Sequence, residues 1–417
     1  MILLPRMATV VVVLVATAIL FAGHSLLTAL LGFRAHLEGF GTTLTGAMMS
    51  VYFLGYILGA FVCVKTVKQV GHIRTFAALA ATYSAVATAH ALTVTPASWT
   101  AFRLVSGICV VGLFLVIESW LNAEAEGRAR GRLFGIYMMV YLTASAVGQL
   151  LLATADPAGF ELFGLTAILA ALAVVPVALV QVKAPPPHQP TGLRLHSLMR
   201  VAPIGLVGCL IDGVVGGSFW GMAAVFGGQV GLSAAQVGVF LSVTVVGGIV
   251  AQWPIGYLSD RTDRRLVLAI VAGLAGLSCA GLAVTPLPWF MVLTTLAFAF
   301  GALTFPLYSL SVALVHDVLE PKHALEATRG LMLVYGVGAM VGPITSGVAM
   351  DHLGPRALYV LLGLLCLGLA GYVGLRVRRT PPPVTPVEQS TLLPAVRTSQ
   401  EAIELGIEGM HPEERTD

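Results

Sequence analysis

Few ionisable side chains fall inside the long apolar runs of this chain, and they are the groups able to do chemistry there. Asp212 sits in PIGLVGCLIDGVVGGSFWG, residues 203–221. A charge in hydrocarbon costs at least about 2.5 kcal/mol on insertion scales, so it persists where it faces a cavity or a partner. A carboxylate so placed can exchange a proton or pair with a cationic group. Gly216 and Phe219 follow it at i+4 and i+7, so one helix face would carry an acid, a gap and an aromatic wall. An acid bonded only to a neighbouring helix is the structural alternative.

Arg103 and Glu118 share the run AFRLVSGICVVGLFLVIESWLN. At the rise and pitch of a helix they stand about 22 Å apart, within about 60° of one another, too far to pair but able to line one passage. Glu118 has an alternative role in a network with Arg128, Arg130 and Arg132. His24, with Thr28 one turn on, can titrate near neutral pH or serve as a plain hydrogen-bonding group. Uncharged polar groups extend the pattern: Tyr141, Ser145 and Gln149 at i, i+4 and i+8, Tyr52 with Tyr56, and Tyr308 and Tyr335 in two later runs. Such groups favour protein-facing or water-lined positions in lipid, although some serve only as bonds between helices. Trp220 and Trp253 offer stacking surfaces for a ligand, or packing.

A third feature is the run GYLSDRTDRR, residues 256–265, in which five of ten residues are charged. Asp260 falls near a helix C-terminus, where the macrodipole disfavours a bare carboxylate. It needs a partner such as Arg264 or the N-terminus of a neighbouring helix. A charge cluster of that kind can hold one arrangement of helices and release it in another.

The elements that position these groups follow from composition. Of the 417 residues, 57% are hydrophobic and 10% charged, with mean hydropathy +0.90; a soluble domain carries about 25% charged residues. Runs long enough to span a bilayer fall near 7–31, 43–66, 74–94, 98–121, 132–154, 159–181, 203–228, 235–258, 266–285, 288–313, 327–350 and 355–377. In lipid only helices or a closed barrel satisfy the backbone, and these runs are too long for barrel strands. The first run exceeds the apolar stretch of a secretory signal and is read as a span.

Lys65, Lys68, Arg74, Arg128, Arg130, Arg132, Arg261, Arg264 and Arg265 fall in alternate loops on the side of both termini, against Arg34 and Arg356 on the other. The positive-inside rule then places the termini in the cytoplasm. The basic residues form no stripe suited to nucleic acid. The five cysteines lie inside apolar runs at no metal-ligand spacing, and neither zinc nor disulfides are expected.

QVKAPPPHQPTGLRLHSLMR, residues 181–200, is the longest polar interruption and suits an extended linker. It divides the chain into a bundle over 1–182, a cytoplasmic linker over 183–202, a second bundle over 203–379 and a Pro-rich disordered tail over 380–417. Faint internal repetition accompanies the division: Tyr141 and Gly148 match Tyr335 and Gly342 at an offset of 194, and Gly71 matches Asp263 at 192.

The charged run resembles motif A of the major facilitator superfamily, through Gly256, Leu258, Asp260, Arg261, Asp263, Arg264 and Arg265. Arg103 with Gly107 resembles motif B, whose arginine is associated with proton coupling. GVGAMVGP, residues 336–343, resembles the motif C core, which family members of the antiporter type carry in the fifth span. Here it falls in the eleventh, Gln149 stands where a fifth-span proline belongs, and Lys68 aligns with Asp260. IESWLN, RGRLFGIYMMVY and KQVGHIRTFA resemble the YcaD-like bacterial permeases more narrowly.

The resemblance implies an all-α membrane protein of twelve transmembrane helices in two pseudo-symmetric six-helix bundles. It implies a secondary active transporter that moves a small organic molecule by alternating access, coupled to protons, as a monomer in the bacterial inner membrane among its lipids. Asp212, Arg103, Glu118, His24, Tyr141, Gln149, Phe219, Trp220, Tyr308 and Tyr335 are the candidate proton and substrate residues. Gly256, Asp260, Arg261, Arg264 and Arg265 are the candidate latch. No phosphate-binding loop, catalytic motif or cofactor signature stands in the chain, so no enzyme and no cofactor are expected. A sensor or scaffold of the same fold, or an exporter of amphipathic compounds or lipids, is the alternative.

Overall fold

A computed structural model of the chain describes residues 3–124, 128–179, 202–319 and 324–379. Among them, twelve helical segments are long and apolar enough to cross a membrane. The first six are α1 (Leu3–Leu37), α2 (Thr42–Val70), α3 (His72–Leu92), α4 (Pro96–Glu124), α5 (Arg128–Leu150) and α6 (Glu161–Leu172). The second six are α7 (Pro203–Gln229), α8 (Ala234–Arg261), α9 (Arg264–Val284), α10 (Phe290–His316), α11 (Ala324–Leu353) and α12 (Ala357–Arg379). A short continuation, Val174–Leu179, completes the sixth span. The break at Ala173 has a local cause, since Pro176 brings no N–H to the Leu172 carbonyl and its ring crowds that turn. The expected linker and tail lie outside the described residues, apart from Ala202.

Consecutive spans alternate in direction. One face therefore carries Lys65, Lys68, Arg74, Arg261, Arg264, Arg265 and the Arg376–Arg379 end of α12, and is called the basic face below. The other carries the α1–α2 and α11–α12 turns with Arg34 and Arg356. At the basic face Gly71, at φ 85°, turns the chain from α2 into α3 in one residue, a left-handed conformation that favours glycine. Asp263 occupies the matching turn of the second half and caps α9 by accepting a hydrogen bond from Arg265 N.

With apolar tails on the outside, hydrophobicity alone does not drive helices together in a membrane, and small residues set the close approaches. A Cβ on Gly107 of α4 would lie 2.1 Å from the Tyr52 carbonyl of α2, and one on Gly55 of α2 would lie 2.1 Å from the Leu104 carbonyl of α4. The second half repeats the device: a Cβ on Gly301 of α10 would lie 1.8 Å from the Thr244 carbonyl of α8, and one on Gly247 of α8 would lie 2.1 Å from the Phe298 carbonyl of α10. A Cβ on Gly148 of α5 would lie 2.1 Å from the Ala22 carbonyl of α1, and one on its sequence match Gly342 of α11 would lie 2.4 Å from the Val214 carbonyl of α7. The same backbone contacts thus recur in both six-helix bundles, and the repetition heard faintly in the sequence marks where helices touch.

Between the bundles, the closest approaches lie toward the face opposite the basic one. Gly32 of α1 packs on Ala224 and Val225 of α7, and His36 on Gly228. Gly46 of α2 meets the Pro343 carbonyl of α11, Gly347 of α11 meets the Thr42 carbonyl, and Gly238 of α8 meets the Gln149 carbonyl of α5.

Candidate functional site

Four helices of the first bundle bring one polar side chain each to a common interior point. The imidazole of His24 (α1) lies with Nδ1 2.9 Å from the Tyr83 hydroxyl (α3) and Nε2 3.3 Å from the Tyr52 hydroxyl (α2). The Arg103 guanidinium (α4) stands over the Tyr52 ring, 4.2 Å from its centroid. Arg103 is 2% exposed, and its Nε and Nη1 have no hydrogen-bond partner among the described residues. The Gly55–Gly107 approach is what allows this, because only backbones in contact bring Tyr52 and Arg103 into register. Thr28, expected to act with the His24 ring, instead donates to the His24 backbone carbonyl, as threonine one turn along a helix commonly does. The ring finds its partners on α2 and α3, and Tyr83 is a member of the cluster that sequence reasoning missed.

Further toward the basic face, Glu118 accepts a hydrogen bond from the Tyr137 hydroxyl of α5 at 3.2 Å. The bond ties the carboxylate to α5; the alternative network with Arg128 and Arg130 falls on side chains outside the described ones. Its charge is felt at Tyr56. Tyr141 of α5 and Tyr335 of α11 both lie in the neighbourhood of Tyr52 and Tyr56, so tyrosines of α2, α5 and α11 converge from the two bundles. Tyr56, Tyr141 and Tyr335 are each only partly buried. Tyr335 also packs edge-to-face with Tyr308 of α10, at 5.3 Å between centroids. On the first-bundle side an aromatic wall continues the group: Phe21 lies 4.3 Å from Phe114 and 4.9 Å from Tyr141.

Asp212 lies on α7 beside Gly213, which packs on the Tyr335 backbone of α11. It is 1% exposed and borders a small cavity within the second bundle, together with Gly216, Phe219, Trp220, Phe300, Thr304 and Phe305. The acid, gap and aromatic wall of one helix face are therefore all present on that cavity, with the α10 residues missing from the sequence reading. Phe219 and Trp220 meet at 5.3 Å and Trp220 and Phe305 at 6.4 Å. Trp253, by contrast, is 76% exposed and stacks on Tyr257, on an outer surface away from these interior groups. Gln149 lies at the α5–α8 closure toward the face opposite the basic one, not among the central tyrosines.

The closure between bundles has polar ties of its own. Thr43 of α2 donates to Asp351 Oδ2 of α11 at 2.9 Å, and Thr42 donates to Oδ1 at 3.3 Å. A carboxylate at the N-terminus of a helix is favoured by the macrodipole, so Asp351 completes α2 from the other bundle. About two turns deeper, Ser50 accepts from the Ile344 backbone N–H at 3.1 Å, next to Pro343. None of Thr42, Thr43, Ser50 or Asp351 stood out in the sequence. Near helix ends they look like ordinary caps and loop charges.

The charged run at 256–265 forms ion pairs inside the second bundle. Arg264 Nη2 binds Asp260 at 2.8 Å and Nη1 binds Asp317, just past α10, at 2.9 Å. Arg265 closes on Asp263 at 2.8 Å. That bond holds the Asp263 carboxyl below the usual carboxylate range, whereas burial pushes Asp317 up despite Arg264. Arg261 lies 4.1 Å over the Tyr257 ring and has no part in these pairs. A Cβ on Gly256 would meet nothing within 4 Å, so its small size has no packing use in this arrangement.

Comparison with known proteins agrees with this architecture. The model of the Major Facilitator Superfamily matches residues 13–210 and again 205–405. The MFS-type transporter YcaD of Shigella flexneri serotype 5b (strain 8401) is 29% identical over 333 residues, 78% of this chain and 84% of that protein. Its counterpart in Escherichia coli (strain SE11) is 28% identical over the same shares. Among solved structures, the nucleoside transporter NupG superposes with a TM-score of 0.73 at 14% identity, over 88% of this chain and 98% of that one. An inward-facing, occupied bacterial homolog of the human lysosomal transporter Spinster gives 0.74 at 13%, over 90% and 97%.

Proposed function

The chain belongs to the major facilitator superfamily, and on that footing we propose that it is a proton-coupled secondary transporter of a small organic molecule, working by alternating access. Its two bundles rock about the tyrosine-lined centre between α2, α5 and α11. The observation that carries this reading is the distribution of contacts between bundles: backbone approaches and the Thr42–Thr43–Asp351 ties gather toward one face, while Tyr56, Tyr141 and Tyr335 deeper in stay only partly buried. Two rigid bodies joined at one end, with accessible groups between them, suit a carrier in one of its two states.

Both termini lie in the cytoplasm of a bacterium on this reading, since the basic loops share their face. The ties then close the outer side, and the arrangement is open or opening inward. Protons have two candidate carriers of negative charge within the spans, Glu118 on α4 and Asp212 on α7. Asp212 sits on a cavity, which favours it as the exchanging group.

Purified protein reconstituted in liposomes tests this with a pH gradient and a metabolite panel followed as flux. A substrate whose accumulation needs the gradient, and loses that dependence in Asp212→Asn, supports the reading. Gradient-driven flux that is the same in Asp212→Asn removes Asp212 from coupling, and no flux for any substrate that binds removes transport.

A further inference from the structure

The guanidinium of Arg103 is a permanent charge in the middle of the first bundle. It cannot shed its proton, and it is fully enclosed, with Nε and Nη1 lacking hydrogen-bond partners among the described residues. The groups acting on its charge are Tyr52 and Tyr83, both neutral hydroxyls, and His24 and His90 lie within its field. Glu118 is fifteen residues further along the same helix, about 22 Å away. A cation–π contact such as that with Tyr52 offsets only part of the cost of burying a cation. Ser106, one turn on and fully buried, also has a hydroxyl without a partner. Among the described residues, the cluster therefore holds one fixed positive charge and surplus donors, and no anion.

Beside it lies apolar ring surface. Phe21 packs edge-on to His24 at 6.1 Å, and Phe21, Phe114 and Tyr141 form a continuous wall toward the bundle boundary. We propose that Arg103 seats the carboxylate of the transported molecule and that the wall receives its apolar body, so that the substrate class is an amphipathic monocarboxylate. Charge balance selects a single negative charge, because a phosphate dianion would leave one charge uncompensated among neutral groups. Donors from arginine and hydroxyls match a carboxylate's lone pairs. The proposal rests on the transport reading for the word substrate, but the anion seat stands or falls by itself.

The test uses purified protein in detergent and the probes acetate, hexanoate, benzoate and phenylacetate, each beside its neutral amide, with chloride as a control anion. Melting midpoints and equilibrium binding are read for the wild type, Arg103→Lys and Arg103→Gln. The expected result is stabilisation by hexanoate, benzoate or phenylacetate and not by the amides. That binding weakens at least about tenfold in Arg103→Gln, with partial retention in Arg103→Lys. Should Arg103→Gln fail to fold, the carboxylate-against-amide comparison in the wild type and Arg103→Lys still decides. Equal response to acid and amide, full carboxylate binding in Arg103→Gln, or occupation by chloride with no competition from carboxylates overturns the proposal. Carboxylate binding without flux would retain the seat and reject transport; flux of a neutral or cationic compound without carboxylate binding would do the reverse.

Discussion

Asp351 of α11 accepts a hydrogen bond from Thr43 of α2 at 2.9 Å, joining the C-terminal turn of one helix to the N-terminal turn of a helix in the other bundle. The contact combines a charge-assisted hydrogen bond with the positive end of the α2 dipole. Such contacts near a surface contribute roughly 0.3–1 kcal/mol for the dipole term, enough to bias two arrangements that differ by a few kcal/mol.

Replacing Asp351 by Asn keeps an acceptor and removes the charge, and Asp351→Ala removes both. The expected outcome is a graded shift toward separation of α2 and α11 at this face, larger for Ala. Accessibility of a cysteine placed at Met49, buried on α2 against Gly221 of α7, to a polar alkylating reagent reads it. Equal labelling rates in all three backgrounds would show that the tie does not hold the bundles.

The glycine contacts carry a prediction with a built-in control. Gly107→Ala forces a Cβ to 2.1 Å from the Tyr52 carbonyl, and Gly301→Ala forces one to 1.8 Å from the Thr244 carbonyl. In each case backbone must move, at a cost on the order of 1–3 kcal/mol. Gly371→Ala meets nothing within 4 Å and should leave stability within about 0.5 kcal/mol. Melting midpoints in detergent measure the set. Because Gly107 also sets the register of Tyr52 with Arg103, that variant should lose ligand response beyond its loss of stability, while Gly301→Ala should not.

Much of this architecture could be read from residue order. Hydropathy delimited the spans because length and apolarity are properties of each run by itself. The match of Gly148 with Gly342 survived as a pair of helix contacts because close approach tolerates only the smallest residue. Asp212, Gly216 and Phe219 shared a cavity as helical spacing requires. What spacing does not supply is the identity of the helix opposite. His24 bonds Tyr83 and Tyr52 rather than its neighbour Thr28, Glu118 meets Tyr137, and Asp351 serves a helix roughly 300 positions earlier in the chain. Those partners become neighbours only once the bundles assemble.

The two carboxyls around the α8–α9 turn should respond to pH with opposite sign. Asp263 is held low by Arg265, so the folded state binds its proton less readily than the unfolded chain does. Its contribution is present above the ordinary carboxylate pKa and is lost as pH falls through the lowered folded value. Asp317 is raised, chiefly by burial, so its contribution diminishes as pH rises between the ordinary value and the raised one. Melting midpoints against pH should therefore show Asp263→Asn below the wild type at neutral pH and converging with it in acid. Asp317→Asn should improve relative to the wild type as pH rises. Parallel curves for all three proteins would show that neither carboxyl is perturbed by folding.

The most direct measurement takes two distances in one protein. With the five native cysteines replaced, spin labels at Glu38 and His352 report the face opposite the basic one, and labels at Lys68 and Thr262 report the basic face. If the bundles rock about the tyrosine-lined centre, a change in pH or a bound carboxylate will lengthen one distance as it shortens the other, and Asp351→Ala will move the same equilibrium. Two distances that stay fixed under every condition, or that lengthen together, would contradict alternating access.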